Sequence, residues 1–153
     1  MGDFFKKLRF GFELHGLCLF LLIMLPNLIW FAVPAPKDVL RAGSAVPGWD
    51  MAGSVFQVLL FTFLCLLQNQ SAGKLKEGKK SLFGSVICCL CYYFLWALYY
   101  LGIVSPAVLL GLCLAPCGAF LFFAWNRKNG PSFFAAALFT LCHFVTTLCN
   151  FIL

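Results

Sequence analysis

Charge is scarce in this chain. Only 10% of its 153 residues are Asp, Glu, Lys or Arg, and five of those are acidic. Soluble domains carry about 25% charged side chains and must cover the roughly 30% of chain surface they leave exposed. That shortage excludes an ordinary soluble globular protein. With 63% hydrophobic residues, a disordered chain is excluded as well. Sequence motifs that carry chemistry are missing too. There is no phosphate-cradling Walker loop, no dinucleotide fingerprint, and no H-E-x-x-H or G-x-S-x-G. Nothing implies a cofactor or a metal site, and no residue has a catalytic setting.

What is present is long apolar runs. A helix needs about 20 apolar residues to cross a hydrocarbon core about 30 Å thick. Five runs meet that length, near residues 11–33, 52–68, 82–102, 106–126 and 131–152. The third and fourth come from one stretch, Ser81–Asn126, with no charged side chain. As a single helix it would be about 69 Å long, so it must fold back. Gly102 and Ser105-Pro106 are the turn signals, since proline cannot continue a helix and restricts the residue before it. The runs lack a period of two, and backbone inside lipid must satisfy its own hydrogen bonds, so they read as helices and not strands. The fold class is therefore all-α: one polytopic membrane domain with five transmembrane helices. A cleaved leader is not expected, because the first apolar run exceeds the 7–15 residues, roughly, of a signal core.

The basic residues segregate. With five spans, Lys6, Lys7, Arg9, Lys74, Lys76, Lys79, Lys80, Arg127 and Lys128 share one side, and Lys37 and Arg41 lie on the other. The positive-inside rule then places the N-terminus inside and the C-terminus outside, in a plasma-type membrane. The net charge of +6 is explained by this orientation at an anionic leaflet and calls for no nucleic acid. Trp96, Tyr99, Tyr100 and Trp125, near span ends, are expected in interfacial aromatic belts. Loop 34–51 is the long external segment, a connector or a lid, with a short interfacial helix around Lys37–Ala42 and Asp50 capping the second span.

Polar residues inside spans are costly, so each is a candidate functional residue. Thr140, His143, Thr147 and Asn150 follow helical spacing and share a face of the last span. Depth arithmetic brings Asn27, Gln57 and Asn150 into the outer leaflet and Tyr92 near the midplane. These residues are expected to line one outward-opening pocket with His143 at its floor, or to hydrogen-bond across helices as packing contacts. Glu13 and His15 open the first span; two residues apart on a helix, they diverge and form no pair. Glu13 and His143 are candidate proton or ion sites. The nine cysteines fall mainly in apolar runs and read as small hydrophobes.

Residues Phe12–Arg41 (FELHGLCLFLLIMLPNLIWFAVPAPKDVLR) resemble the start of a group of small bacterial multi-pass membrane proteins with no established activity. The LFFAWNRKN segment continues the likeness loosely. Length, span count and the ending Thr147, Leu148, Asn150 are also similar to the tryptophan-rich sensory protein and translocator family, a five-span family that binds porphyrins and sterols. Its proline- and tryptophan-rich first loop and second span are not matched, which leaves an architectural analogy.

The expected function is non-enzymatic. An apolar or amphipathic small molecule, or partner helices, would bind in an intramembrane cavity, with His143 orienting the ligand by hydrogen bond and Asn27, Gln57, Tyr92 and Asn150 lining the site. The bilayer is the expected partner, and a homo-oligomer or another membrane protein is a further one. Two alternatives are an oligomeric permease or transport subunit with an intramembrane proton site, and a membrane thiol oxidoreductase or lipid-modifying enzyme.

Overall fold

The computed structural model describes residues 7–72 and 79–153. It is 76% helical, with five helices long and apolar enough to cross a membrane. These are α1 (Leu14–Ala32), α2 (Pro47–Leu66), α3 (Lys79–Tyr100), α4 (Pro106–Asn126) and α5 (Gly130–Phe151). The chain is thus an all-α protein of multi-pass membrane type. Lys6, Lys74 and Lys76 of the charge pattern lie outside the described residues.

Proline sets three of the helix starts. Pro47, Pro106 and Pro131 each stand in a first turn, where the missing N–H costs nothing. Accordingly α2 begins at Pro47, five residues before the expected span. Its N-cap is Val46, so Asp50 lies within the first turn and caps nothing by side chain, contrary to the sequence reading. The fold-back lies where Gly102 and Ser105-Pro106 place it. Gly102 takes φ +79°, a left-handed conformation that glycine enters without strain. Ser105 Oγ then accepts a hydrogen bond from Val108 N at 3.3 Å and caps α4.

Spatial neighbours run α1, α2, α5, α4, α3 and back to α1. The core sits along α4, where 56% of the span is buried against 17% in α1 and in α2. The outer faces carry exposed Leu, Phe, Ile and Val side chains, as a lipid-contacting surface requires. Trp96 and Tyr99 are 5% and 0% exposed. They belong to the core and not to an interfacial belt, because Tyr92, Trp96 and Tyr99 recur at helical spacing on the inner face of α3. Trp125 is exposed.

Proline inside α1 is also compensated. Pro26 offers no N–H to the carbonyl of Leu22 four residues back. Tyr93 Oη of α3 donates to that oxygen at 2.7 Å, and Asn27 Nδ2 donates to Ile23 O at 3.0 Å.

A short antiparallel pair joins two ends. Strand β1 (Leu8–Phe10), before α1, pairs with β2 (Leu67–Asn69), after α2, with Arg9 opposite Gln68. The ladder extends through Glu13 N to Cys65 O at 2.8 Å. Glu13 is therefore extended (φ −97°, ψ 92°) and α1 starts only at Leu14. That overturns the argument that Glu13 and His15 must diverge, since helical spacing does not apply across a residue outside the helix. Their side chains meet at 3.1 Å. On the same end Asn129 caps α5 and donates to Phe63 O and Leu67 O, 3.0 and 2.8 Å away.

Candidate ligand cavity

At the opposite end of the bundle all five helices enclose a cavity of about 400 Å³, a size within the roughly 300–1,000 Å³ of small-molecule sites. Its walls are mostly apolar and aromatic. Three of the four tryptophans line it: Trp30, Trp49 and Trp96. The deepest positions, counted along the helices from the mouth, are Phe61 and Phe120, whose rings meet edge-on at 5.6 Å.

His143, Asn27, Gln57, Tyr92 and Asn150 all line this cavity. They use their polar groups differently. Asn27 Nδ2 donates to Tyr92 Oη at 2.8 Å, so these two hold α1 to α3. Asn150 Oδ1 accepts from Ala45 N at 2.8 Å and fastens the loop before α2 to the end of α5. Among the described residues no hydrogen bond engages the side chains of His143 or Gln57, and both line the open space. The imidazole stacks on Phe139, one turn earlier, at 5.2 Å between ring centres. Eight residues from the end of α5, it stands about 12 Å from the mouth. It is thus on the wall, and the floor is aromatic. Thr146 Oγ1, on the same helix and also lining the space, is buried without a partner.

Glu13 is elsewhere. It is 4% exposed and lies at the β1–β2 end, bonded to Arg127 Nη2 at 3.0 Å as well as to His15. The two candidate proton or ion sites are therefore not brought together.

The rim was not legible as a site. Loop residues 33–46 fold as a strap with a single 3₁₀ turn, Val39–Arg41, in place of a longer interfacial helix. Asp38 is its hub. Trp30 Nε1 and Tyr99 Oη donate to Oδ1 at 2.8 and 3.0 Å, and Arg41 Nε donates to Oδ2 at 2.7 Å. Arg41 also donates to Trp30 O at 2.7 Å and stacks over the Trp30 ring at 4.9 Å. Burial pushes the Asp38 carboxyl upward, but the hydrogen bonds from Trp30, Arg41 and Tyr99 and the Arg41 charge outweigh it, holding the pKa below the usual carboxylate range. The spacing of Asp38 and Arg41, three apart, was the one available signal; the partners Trp30 and Tyr99 come from other elements.

A pH dependence follows. A carboxyl whose folded pKa lies below its unfolded one adds stability above the unfolded value of about 4 and loses it as pH falls through the folded value. The wild type is expected to exceed Asp38→Asn by about 1–3 kcal/mol at pH 7. That margin should narrow below about pH 4, read by thermal unfolding at both pH values. An equal margin at pH 3 would contradict the assignment.

All nine cysteines are free thiols, with Cys113 and Cys142 on the cavity wall. Cys88 and Cys91 stand at C-x-x-C spacing on α3, with Cys91 facing outward. Among the described residues no three His, Cys, Asp or Glu side chains cluster as metal ligands would. No protein-family model, curated protein or solved structure matches this chain.

Proposed function

We propose that this protein binds a small amphipathic molecule in the cavity between its helices. The observation that carries the reading is an aromatic-walled space into which His143, Gln57 and Thr146 present polar groups with no protein partner. Buried polar groups are nearly always hydrogen-bonded; Thr146 is buried without a partner and the half-buried His143 and Gln57 line the same space, which suits a molecule that bonds them. The apolar body would occupy the aromatic depth, with its polar atoms against α2 and α5.

The distribution of lysine and arginine supports an orientation with the mouth, Lys37 and Arg41 on the outer side of a plasma-type membrane. The ligand would then arrive from the external medium or the outer leaflet. The Asp38 strap holds Trp30 and Leu40 at the rim, which suits a fixed entrance frame.

A brominated probe tests the reading, because bromine quenches nearby indoles and three tryptophans line the cavity. 4-Bromobenzyl alcohol added to the protein in nanodiscs is expected to quench saturably. His143→Leu should weaken the half-saturation concentration about fivefold, the loss of one buried hydrogen bond of about 1 kcal/mol. Quenching that rises linearly and identically in both proteins would refute ligand binding here.

A further inference from the structure

Resting on that reading, we infer that the ligand is an organic monocation, an amine with an aromatic or aliphatic body, held by its ammonium group at Asp50. Three carboxylates lie among the described residues. Glu13 is taken by Arg127 and His15, and Asp38 by Arg41, Trp30 and Tyr99. Among the described residues the Asp50 carboxylate has no ion pair and accepts no hydrogen bond, and it lines the mouth of the cavity beside Trp49. A first-turn aspartate is stabilised by its own helix N-terminus, which accounts for the residue but not for its position, exposed, at the mouth of a cavity with aromatic walls.

The surrounding field has the same sign. Helices α1, α3 and α5 end at the mouth, and α2 and α4 begin there. Each C-terminus carries roughly half a negative charge and each N-terminus half a positive one, so the helix ends sum to the negative side. No basic residue stands in the last turn of α1, α3 or α5. Arg41 is committed to Asp38 and to Trp30 O, and Lys37 is exposed and not part of the lining. Among the described residues no lysine or arginine therefore lines the cavity with Asp50, and the titratable side chain across from it is the imidazole of His143.

The walls agree with the charge. Trp49 is 44% exposed at the rim, and an indole face attracts an ammonium or guanidinium within about 6 Å. Below it, His143 and Thr146 present atoms that bond a neutral polar group, and Phe61, Phe120 and Phe139 present none. Read from the mouth downward, the lining is an anion, a hydrogen-bonding belt and an aromatic floor. That order matches a molecule with a charged head and an apolar tail. An anionic head would meet Asp50 with like charge at the mouth.

Three naphthalene probes of nearly equal size isolate the charge: 2-(1-naphthyl)ethylamine, protonated at neutral pH, 2-(1-naphthyl)ethanol and 1-naphthylacetate. Each is titrated calorimetrically into the protein in phosphatidylcholine nanodiscs, with empty nanodiscs subtracted. The amine is expected to bind at least tenfold tighter than the alcohol, and the acetate weakest. Asp50→Asn should bring the amine to the alcohol's affinity and leave the alcohol unchanged. The ranking in the unaltered protein tests the charge preference without any substitution. If alcohol or acetate binds as tightly as the amine, or if Asp50→Asn preserves the ranking, the cation assignment fails while the cavity reading stands. If none of the three binds, both fall.

Discussion

Gly16→Ala is expected to destabilise the protein by about 3 kcal/mol or more, the upper range for overpacking. A methyl carbon built on Gly16 would lie 2.4 Å from the backbone oxygen of Leu64 on α2. Neither partner can yield cheaply. The oxygen belongs to a helix, and the added carbon sits on the first turn of α1, already pinned by the Glu13 N to Cys65 O bond. The roughly 1 kcal/mol that alanine gains over glycine in a helix opposes this cost and is too small to offset it. Gly48 supplies the control: it sits in the first turn of α2 with nothing within 4 Å. Gly48→Ala should be neutral or slightly stabilising. Unfolding by denaturing detergent compares the two, and a Gly16→Ala protein as stable as the wild type would overturn the close-contact argument. A further consequence concerns the cavity. Helix α1 carries Asn27 and Trp30, and it packs on its neighbours more thinly than α5 packs on α2 and α4. Prising α1 from α2 at Gly16 should therefore displace two cavity residues about 15–20 Å away along the helix.

The five helices were legible because lipid leaves the sequence little choice: uncharged runs of spanning length must be helical. The fold-back at Gly102 and Ser105-Pro106 was legible because glycine and proline act on the backbone locally. That Asn27, Gln57, Tyr92, His143 and Asn150 share one space followed from adding helix rise to span order. What each polar group does there could not be read that way. Asn27 donates to Tyr92, and Asn150 holds a loop amide, while His143 is left open. Periodicity places a side chain on a face and says nothing about its partner. The aromatic belt failed for a different reason. Distance from a span end puts Trp96 and Tyr99 at an interface, whereas with Tyr92 their spacing of four and three marks one buried face. Glu13 and His15 failed because a helical rule was carried one residue beyond the helix.

The pairing of Glu13 with Arg127 lay beyond any local rule, since 114 residues separate them, and it carries the second large effect. The Glu13 side chain is 6% exposed and that of Arg127 18%. Removing one partner takes a charge-assisted hydrogen bond from a largely buried group that keeps other contacts, His15 in the case of Glu13, at about 1.5–3 kcal/mol. Glu13→Gln and Arg127→Gln should each fall in that range. The double variant should be less destabilised than the two losses added together, with a coupling of about 1–3 kcal/mol. Denaturing-detergent unfolding of the four proteins closes the cycle, and strict additivity would show that the two side chains do not interact. The pair ties the start of α1 to the end of α4, two elements with little other contact at that end. It also divides the chain's polar chemistry by location. One carboxylate at the β1–β2 end is neutralised within the fold, while Asp50 at the other end faces a cavity. Substitutions at Glu13 should accordingly lower stability while leaving probe affinity in the folded fraction unchanged, and substitutions at His143 should do the reverse. A Glu13→Gln protein that stays stable but loses saturable quenching by 4-bromobenzyl alcohol would break that division.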